Sequence, residues 1–215
     1  MKKKLLSIIV VIIGILIAGQ IYFTYFYVYQ GKVIDADTKA PIDGAVVVAS
    51  WREERPTPAG PTSRLKDVRE TLTDKNGEWF IRGARGERLG PSTLLSYVTS
   101  FFTWFMWGTY TTERPEFIVF KPGYCSWPAG LGIDACREKM KTYDPNHSNN
   151  IGGVVELPKL TDREDRERNL PGTEGFSREF DKKQLNFLRL INEEHNNLYG
   201  EKTYENYIRE LESEK

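Results

Sequence analysis

The apolar and polar positions of this chain change period several times, and each change marks an element. Residues 5–29, "LLSIIVVIIGILIAGQIYFTYFYVY", carry no charged side chain. That length suffices for a membrane-crossing helix of ~20 residues. Val33 and Ile34 then lead into "DADTKAP", where Asp35, Asp37 and Thr38 can bond their own backbone and Pro41 fixes φ, so the chain reverses. "AVVVASW", residues 45–51, is an unbroken run rich in β-branched residues and predicts a strand. The charged, proline-rich stretch "REERPTPAGPTSRLK" reads as a long exposed connection. Alternation resumes in "VRETLT" and "EWFIRG", and the "DKNG" between them predicts a tight hairpin.

Residues 94–110, "LLSYVTSFFTWFMWGTY", are uncharged and aromatic, which suits burial in a core or contact with a membrane surface better than a second span. Strands are expected at 117–121 and 154–157. "TDREDRER" alternates charge, the mark of a solvated face or linker. Beyond it the period becomes helical. Ser177 is an N-cap candidate, Phe180, Phe187, Leu188, Ile191 and Leu198 share one face, and Asn196, Asn197 and Gly200 are stop signals. A second short helix over 203–211 places Tyr204, Tyr207, Ile208 and Leu211 together, so a helical hairpin should pack on the sheet or on a partner.

Charge and cysteines set the compartment. Thirty basic and thirty acidic residues cancel, which argues against nucleic acid as a partner. Lys2, Lys3 and Lys4 before the apolar run favour a cytoplasmic N-terminus, and the aromatics that end it suit the outer headgroup region. A signal peptide cleaved near Ala18 and Gly19 is the competing reading. A further reading makes residues 25–29 the start of a strand. Cys125 and Cys136 are the only cysteines, and in an oxidising compartment they are expected to form a disulfide. Two cysteines lack the further ligands of a tetrahedral metal site.

Three blocks in order, "GKVIDADTKAPIDGAVV", "TLTDKNGEWFI" and "PEFIVFKPGY", resemble the carboxypeptidase regulatory-like domain. The matching residues are Gly31, Val33, Asp35, Thr38, Pro41, Ile42, Gly44, Ala45 and Val47, then Thr73, Asp74, Gly77 and Phe80, then Phe120, Pro122, Gly123 and Tyr124. The resemblance implies a mainly β fold, a transthyretin-like or Ig-like β-sandwich, and a non-catalytic folding or binding accessory. Added to it here are an N-terminal transmembrane helix and a C-terminal helical hairpin. The expected division is an anchor over 1–29, a sandwich over 30–160 with insertions at 53–67 and 84–114, and a charged linker with helices over 161–215.

Catalytic chemistry finds little footing. Neither His147 nor His195 sits in an HxxE or HExxH pattern, and there is no GxSxG and no Gly-rich phosphate loop. A related transthyretin-like fold hydrolyses 5-hydroxyisourate, but the chain ends "ELESEK" and lacks that enzyme's Tyr-Arg-Gly-Ser ending. Asp74, Asn76 and Glu78 alternate as calcium ligands might, although the hairpin needs Asp and Asn for its own turn. Asn146-His147-Ser148 is a glycosylation sequon.

The expectation is therefore a non-enzymatic binding or scaffold module, without cofactor or metal. It would be tethered to the inner membrane by a single pass, with its folded part periplasmic and another envelope protein as a candidate partner. Phe101, Phe102, Trp104, Phe105 and Trp107 are the candidate contact surface, because large aromatics carry much of an interface's energy. Core burial of the same residues competes with that role. An alternative function is envelope glycan or ligand binding on exposed Trp and Tyr rings. A hydrolase would need His147 or His195 to converge with carboxylates.

Overall fold

The structure is a computed structural model, which describes residues 11, 27–55, 60–86, 111–128, 136, 140, 153–172 and 177–214. Among the described residues seven strands form two sheets: β1 (Tyr27–Asp35), β2 (Val46–Arg55), β3 (Thr62–Leu72), β4 (Glu78–Gly83), β5 (Thr111–Thr112), β6 (Glu116–Phe120) and β7 (Val154–Leu157). The first sheet has the order β4-β1-β7, with β1 antiparallel to β4 and parallel to β7. The second is built on β2, flanked by β3 on one side and by β5 and β6 on the other, all antiparallel. Helices α1 (Arg163–Arg168), α2 (Arg178–Asp181), α3 (Leu185–Tyr199) and α4 (Glu205–Ser213) follow, with a 3-10 turn, Lys182–Gln184, between α2 and α3.

Alternation decides which side of each strand is buried. In β4, Trp79, Ile81 and Gly83 face inward while Glu78, Phe80 and Arg82 face out. They meet Val33, Val155 and Leu157 of their own sheet and Val47, Ala49, Trp51, Phe117 and Val119 of the other in one core. Strand β2 departs from alternation, since residues 46–51 are all buried. The reason lies in the layers: Val47, Ala49 and Trp51 enter the core between the sheets, whereas Val46 and Val48 meet Phe187 and Ile191 of α3 on the opposite face. Two covered faces require a continuous apolar strand.

The turn at "DKNG" forms, but the hairpin expected there does not: β3 pairs with β2 and β4 with β1, so the turn carries the chain from one sheet to the other. The Asp74 carboxylate accepts from the backbone N–H groups of Asn76 (2.9 Å) and Glu78 (2.8 Å). Gly77 takes φ +73°, and a Cβ there would stand 2.3 Å from the Val33 carbonyl oxygen. Both carboxylate bonds fall on Asp74 Oδ1, so the Asp and Gly of this segment serve the turn itself.

Several expectations are corrected. The connection at 53–67 is not a loop over its described length: β2 and β3 continue outward as a paired arm, Arg52↔Leu65, Glu53↔Arg64, Glu54↔Ser63 and Arg55↔Thr62. Side-chain pairing across the ladder stabilises it, because Glu53 sits between Arg64 (2.9 Å) and Lys66 (2.7 Å). The boundary at 29 shifts too, since Tyr27 to Tyr29 already belong to β1. Residues 1–10 and 12–26 lie outside the described part, and among the described residues no helix is long and apolar enough to cross a membrane.

The helix expected from Ser177 is broken at Gln184, which leaves helical geometry at φ −132°, ψ 39°. "TDREDRER" is a helix capped by Asp162, and it is not wholly solvated, because Arg166 forks onto the buried Glu194 of α3 with both bonds at 2.7 Å.

Candidate functional site

Strand directions give the two-sheet body two unlike ends. At the distal end lie the 36–44 turn, the Asp74 turn between the sheets and the turn at Pro122 and Gly123. At the proximal end lie the start of β1, the end of β4, the β2–β3 arm and β5.

The distal end is a closed polar latch. Asp35, almost fully buried, accepts through one carboxylate oxygen from the backbone N–H groups of Thr38 (2.8 Å) and Asp37 (3.0 Å). Its other oxygen receives the Tyr124 hydroxyl at 3.3 Å and lies 3.5 Å from the Lys159 ammonium. The Thr38 backbone N–H is the chief cause that lowers its pKa to about 2, with Asp37 and Lys159 adding to it against burial. An acid held charged in this way fixes a turn.

The proximal end is aromatic and basic. Tyr27 pairs with Gly83 across β1 and β4. The Tyr29 hydroxyl donates to the carbonyls of Ala84 (3.1 Å) and Arg85 (2.7 Å), and the Trp51 indole N–H donates to Ala84 at 2.7 Å. Two elements, β1 and β2, therefore clasp the chain as it leaves β4. The Arg85 guanidinium lies over the Tyr27 ring at 5.6 Å, and the Tyr27 and Tyr29 rings meet edge to face at 4.7 Å. Burial pushes the Tyr29 phenol pKa far up, helped by Tyr27, while Arg114 and Arg85 pull against it.

The returning chain is clasped just beside this point. Glu113 N–H donates to the Arg52 carbonyl at 2.8 Å, and Thr112 and Thr111 pair with Glu53 and Glu54 of β2. Gly86 lies against Glu113, where a Cβ would meet the Glu113 carbonyl oxygen at 2.2 Å. Burial, followed by the neighbouring Glu54, raises the Glu113 carboxyl. Glu53 moves the other way: the Lys66 ammonium holds it below the usual carboxylate range, with Arg64 assisting.

Helix docking supplies a third polar cluster that sequence reasoning does not find. Glu70 projects from β3 and accepts from the first free backbone N–H groups of α3, Asn186 at 2.8 Å and Phe187 at 2.9 Å. Burial raises its pKa, although both N–H groups favour the charged form. Lys183 reaches back to Asp67 at 2.8 Å. Burial opposes ionisation of Asp67, but Lys183 and Arg69 outweigh it and its pKa falls. The Tyr207 hydroxyl donates to Asp181 at 2.5 Å, which chiefly raises the Tyr207 pKa to about 12.

Of the residues singled out by sequence, Cys125 and Cys136 are joined in a disulfide. They pack against Leu160, with Met140 beside them. Phe101, Phe102, Trp104, Phe105 and Trp107 lie outside the described residues, as does His147. His195 lies on α3 between the rings of Tyr199 and Tyr204, each 5.5 Å away. Among the described residues no three His, Cys, Asp or Glu side chains gather as a metal site. Trp51, Trp79 and Trp127 are buried, so a glycan platform could use only Trp104 and Trp107 among the tryptophans. Among the described residues the exposed rings are Phe80 (61%), Tyr199 (47%) and Tyr27 (40%).

No family model matches the chain, and no curated protein matches it. Solved structures give distant likenesses. A 3-chlorocatechol 1,2-dioxygenase from Rhodococcus opacus shows 18% identity and a TM-score of 0.27, with 47% of this chain and 41% of that one covered. A 9R-lipoxygenase from Cyanothece PCC8801 shows 13% identity and a TM-score of 0.31, covering 83% and 25%. A mutant of Acinetobacter radioresistens catechol 1,2-dioxygenase shows 18% identity and a TM-score of 0.29, covering 72% and 56%. The chain thus spans about half or less of the proteins it is similar to, at scores too low to assign a shared fold.

Proposed function

We propose that this protein is a non-catalytic binding or scaffold module, tethered by its N-terminal apolar segment and folded outside the cytoplasm. The observation that carries this reading is the use made of its buried and half-buried polar groups, among whose buried side-chain atoms, in the described residues, only the Trp79 indole N–H lacks a partner. Asp35 closes a turn, Glu70 caps α3, Glu194 receives Arg166, and Asn169 accepts from Ser126 while donating to the Tyr124 carbonyl. Each is committed to holding elements together, the pattern of a rigid platform whose surface does the work. A transthyretin-like sandwich related to the carboxypeptidase regulatory-like domain agrees with two sheets sharing one core and with Asp35, Thr73, Asp74 and Gly77 serving as turn residues. The disulfide supports an oxidising compartment.

The test is a fusion of alkaline phosphatase, active only after export, to the C-terminus of the full chain. Activity in intact bacteria is the expected result. A folded but inactive fusion, with both cysteines reactive to a thiol reagent in the cytoplasm, would remove the extracytoplasmic placement.

A further inference from the structure

The two longest apolar stretches of the chain attach to the same end of the folded body. One, residues 5–26, runs directly into Tyr27 at the start of β1. The other, residues 94–110, is bounded by β4 on one side and by β5 on the other. Its points of departure and return are neighbours, because Gly86 lies against Glu113, while Tyr27 pairs with Gly83 only three residues earlier. The distal end carries instead Asp37, Lys39, Asp74, Lys75 and Asn76, all exposed or half-buried polar side chains. Leu72 is exposed at the distal end as well, so what distinguishes the two ends is the attachment of both long apolar stretches at the proximal one.

The geometry points to the proximal end, Tyr27, Val28, Arg85, Arg114 and the arm beside them, as the face this protein lays against a lipid bilayer. The inference rests on the proposed anchor and goes beyond it: the anchor alone would let the body tilt or stand away on a flexible stalk. Three features argue for direct seating. Anchor and β1 adjoin without a Gly- or Ser-rich spacer. Tyr27 and Val28 are exposed, 40% and 44%, where an amphipathic ring and an apolar side chain suit the headgroup boundary. Arg85, stacked on Tyr27, and the half-buried Arg114 set guanidinium groups at the same level, where anionic headgroups attract them.

The full chain, reconstituted in phosphatidylcholine–phosphatidylglycerol vesicles, provides the test. A fluorophore is placed on one introduced cysteine, Arg85→Cys or Lys75→Cys, the native pair being oxidised, and quenched by nitroxide lipids labelled near the headgroup. Quenching at position 85 should exceed that at 75 by about threefold or more, because a ring-lined seat holds the label at headgroup depth. It should also persist when ten Gly and Ser residues are inserted between Phe26 and Tyr27.

Equal quenching at 85 and 75 in chains that float with the vesicles overturns the seating and leaves the anchor standing. Loss of the difference on inserting the spacer shows a tether alone and likewise overturns it. A chain that does not float at all overturns both readings.

Discussion

A Cβ built on Gly83 would stand 2.1 Å from the Trp51 ring, which is itself 1% exposed and tied by its indole N–H to Ala84. The ring has nowhere to move without losing that bond and the packing under it. Gly83→Ala should therefore cost about 1–3 kcal/mol, the range for overpacking a filled core, read as a lowered urea midpoint. Gly153→Ala, which meets nothing within 4 Å, is the matched control and should shift the midpoint far less. The need for glycine at 83 is invisible in "EWFIRG", because the ring that demands it comes from the other sheet. The turn roles of Asp35, Asp74 and Gly77 were legible, because each turn closes within a few residues, whereas the reach of Asp35 to Tyr124 and Lys159 and the approach of Gly77 to Val33 were not.

The same division holds for elements. The turn at "DKNG", the buried strand "AVVVASW" and the amphipathic face of α3 follow from local period, whereas the crossing of that turn from one sheet to the other, in place of a hairpin, does not. The arm does not: its charged ladder of Glu53, Arg64 and Lys66 and the nearby Pro56, Pro58 and Pro61 read as a loop, and only pairing across strands makes it ordered. The break at Gln184 was equally hidden, since Glu70, the residue that caps the helix beyond it, belongs to a distant strand. Glu70→Ala leaves two backbone donors without their acceptor and should cost about 1–2 kcal/mol, with faster amide exchange at Asn186 and Phe187. The pH response has a definite sign. Because burial raises the folded pKa of Glu70 above its ordinary 4.5, its contribution is largest below that value and falls as pH rises through the folded pKa. Glu70→Gln removes this slope, so the urea midpoints of variant and parent should diverge with pH across that window.

The body as a whole is stitched where its strands leave off, by the bridge between Cys125 and Cys136. Reduction, or replacement of both cysteines by Ala, should lower stability by about 2–3 kcal/mol, because the open loop regains entropy when unfolded. Thermal unfolding with and without reductant measures it. The layered order of the molecule, sheet on sheet with helices behind β2, was foreshadowed by the unbroken apolar run and the helical period at the C-terminus. Which sheet the helices cover was not, since β2 could be buried by either neighbour. The parallel pairing of β1 with β7 also governs how the molecule comes into being. Lys32 waits for Val154, so β1 cannot gain its parallel neighbour until the residue 122 positions further on has been synthesised. Until then β1 keeps one strand edge unpaired, and a pairing of such long range is slow to form and leaves that edge open to mispairing.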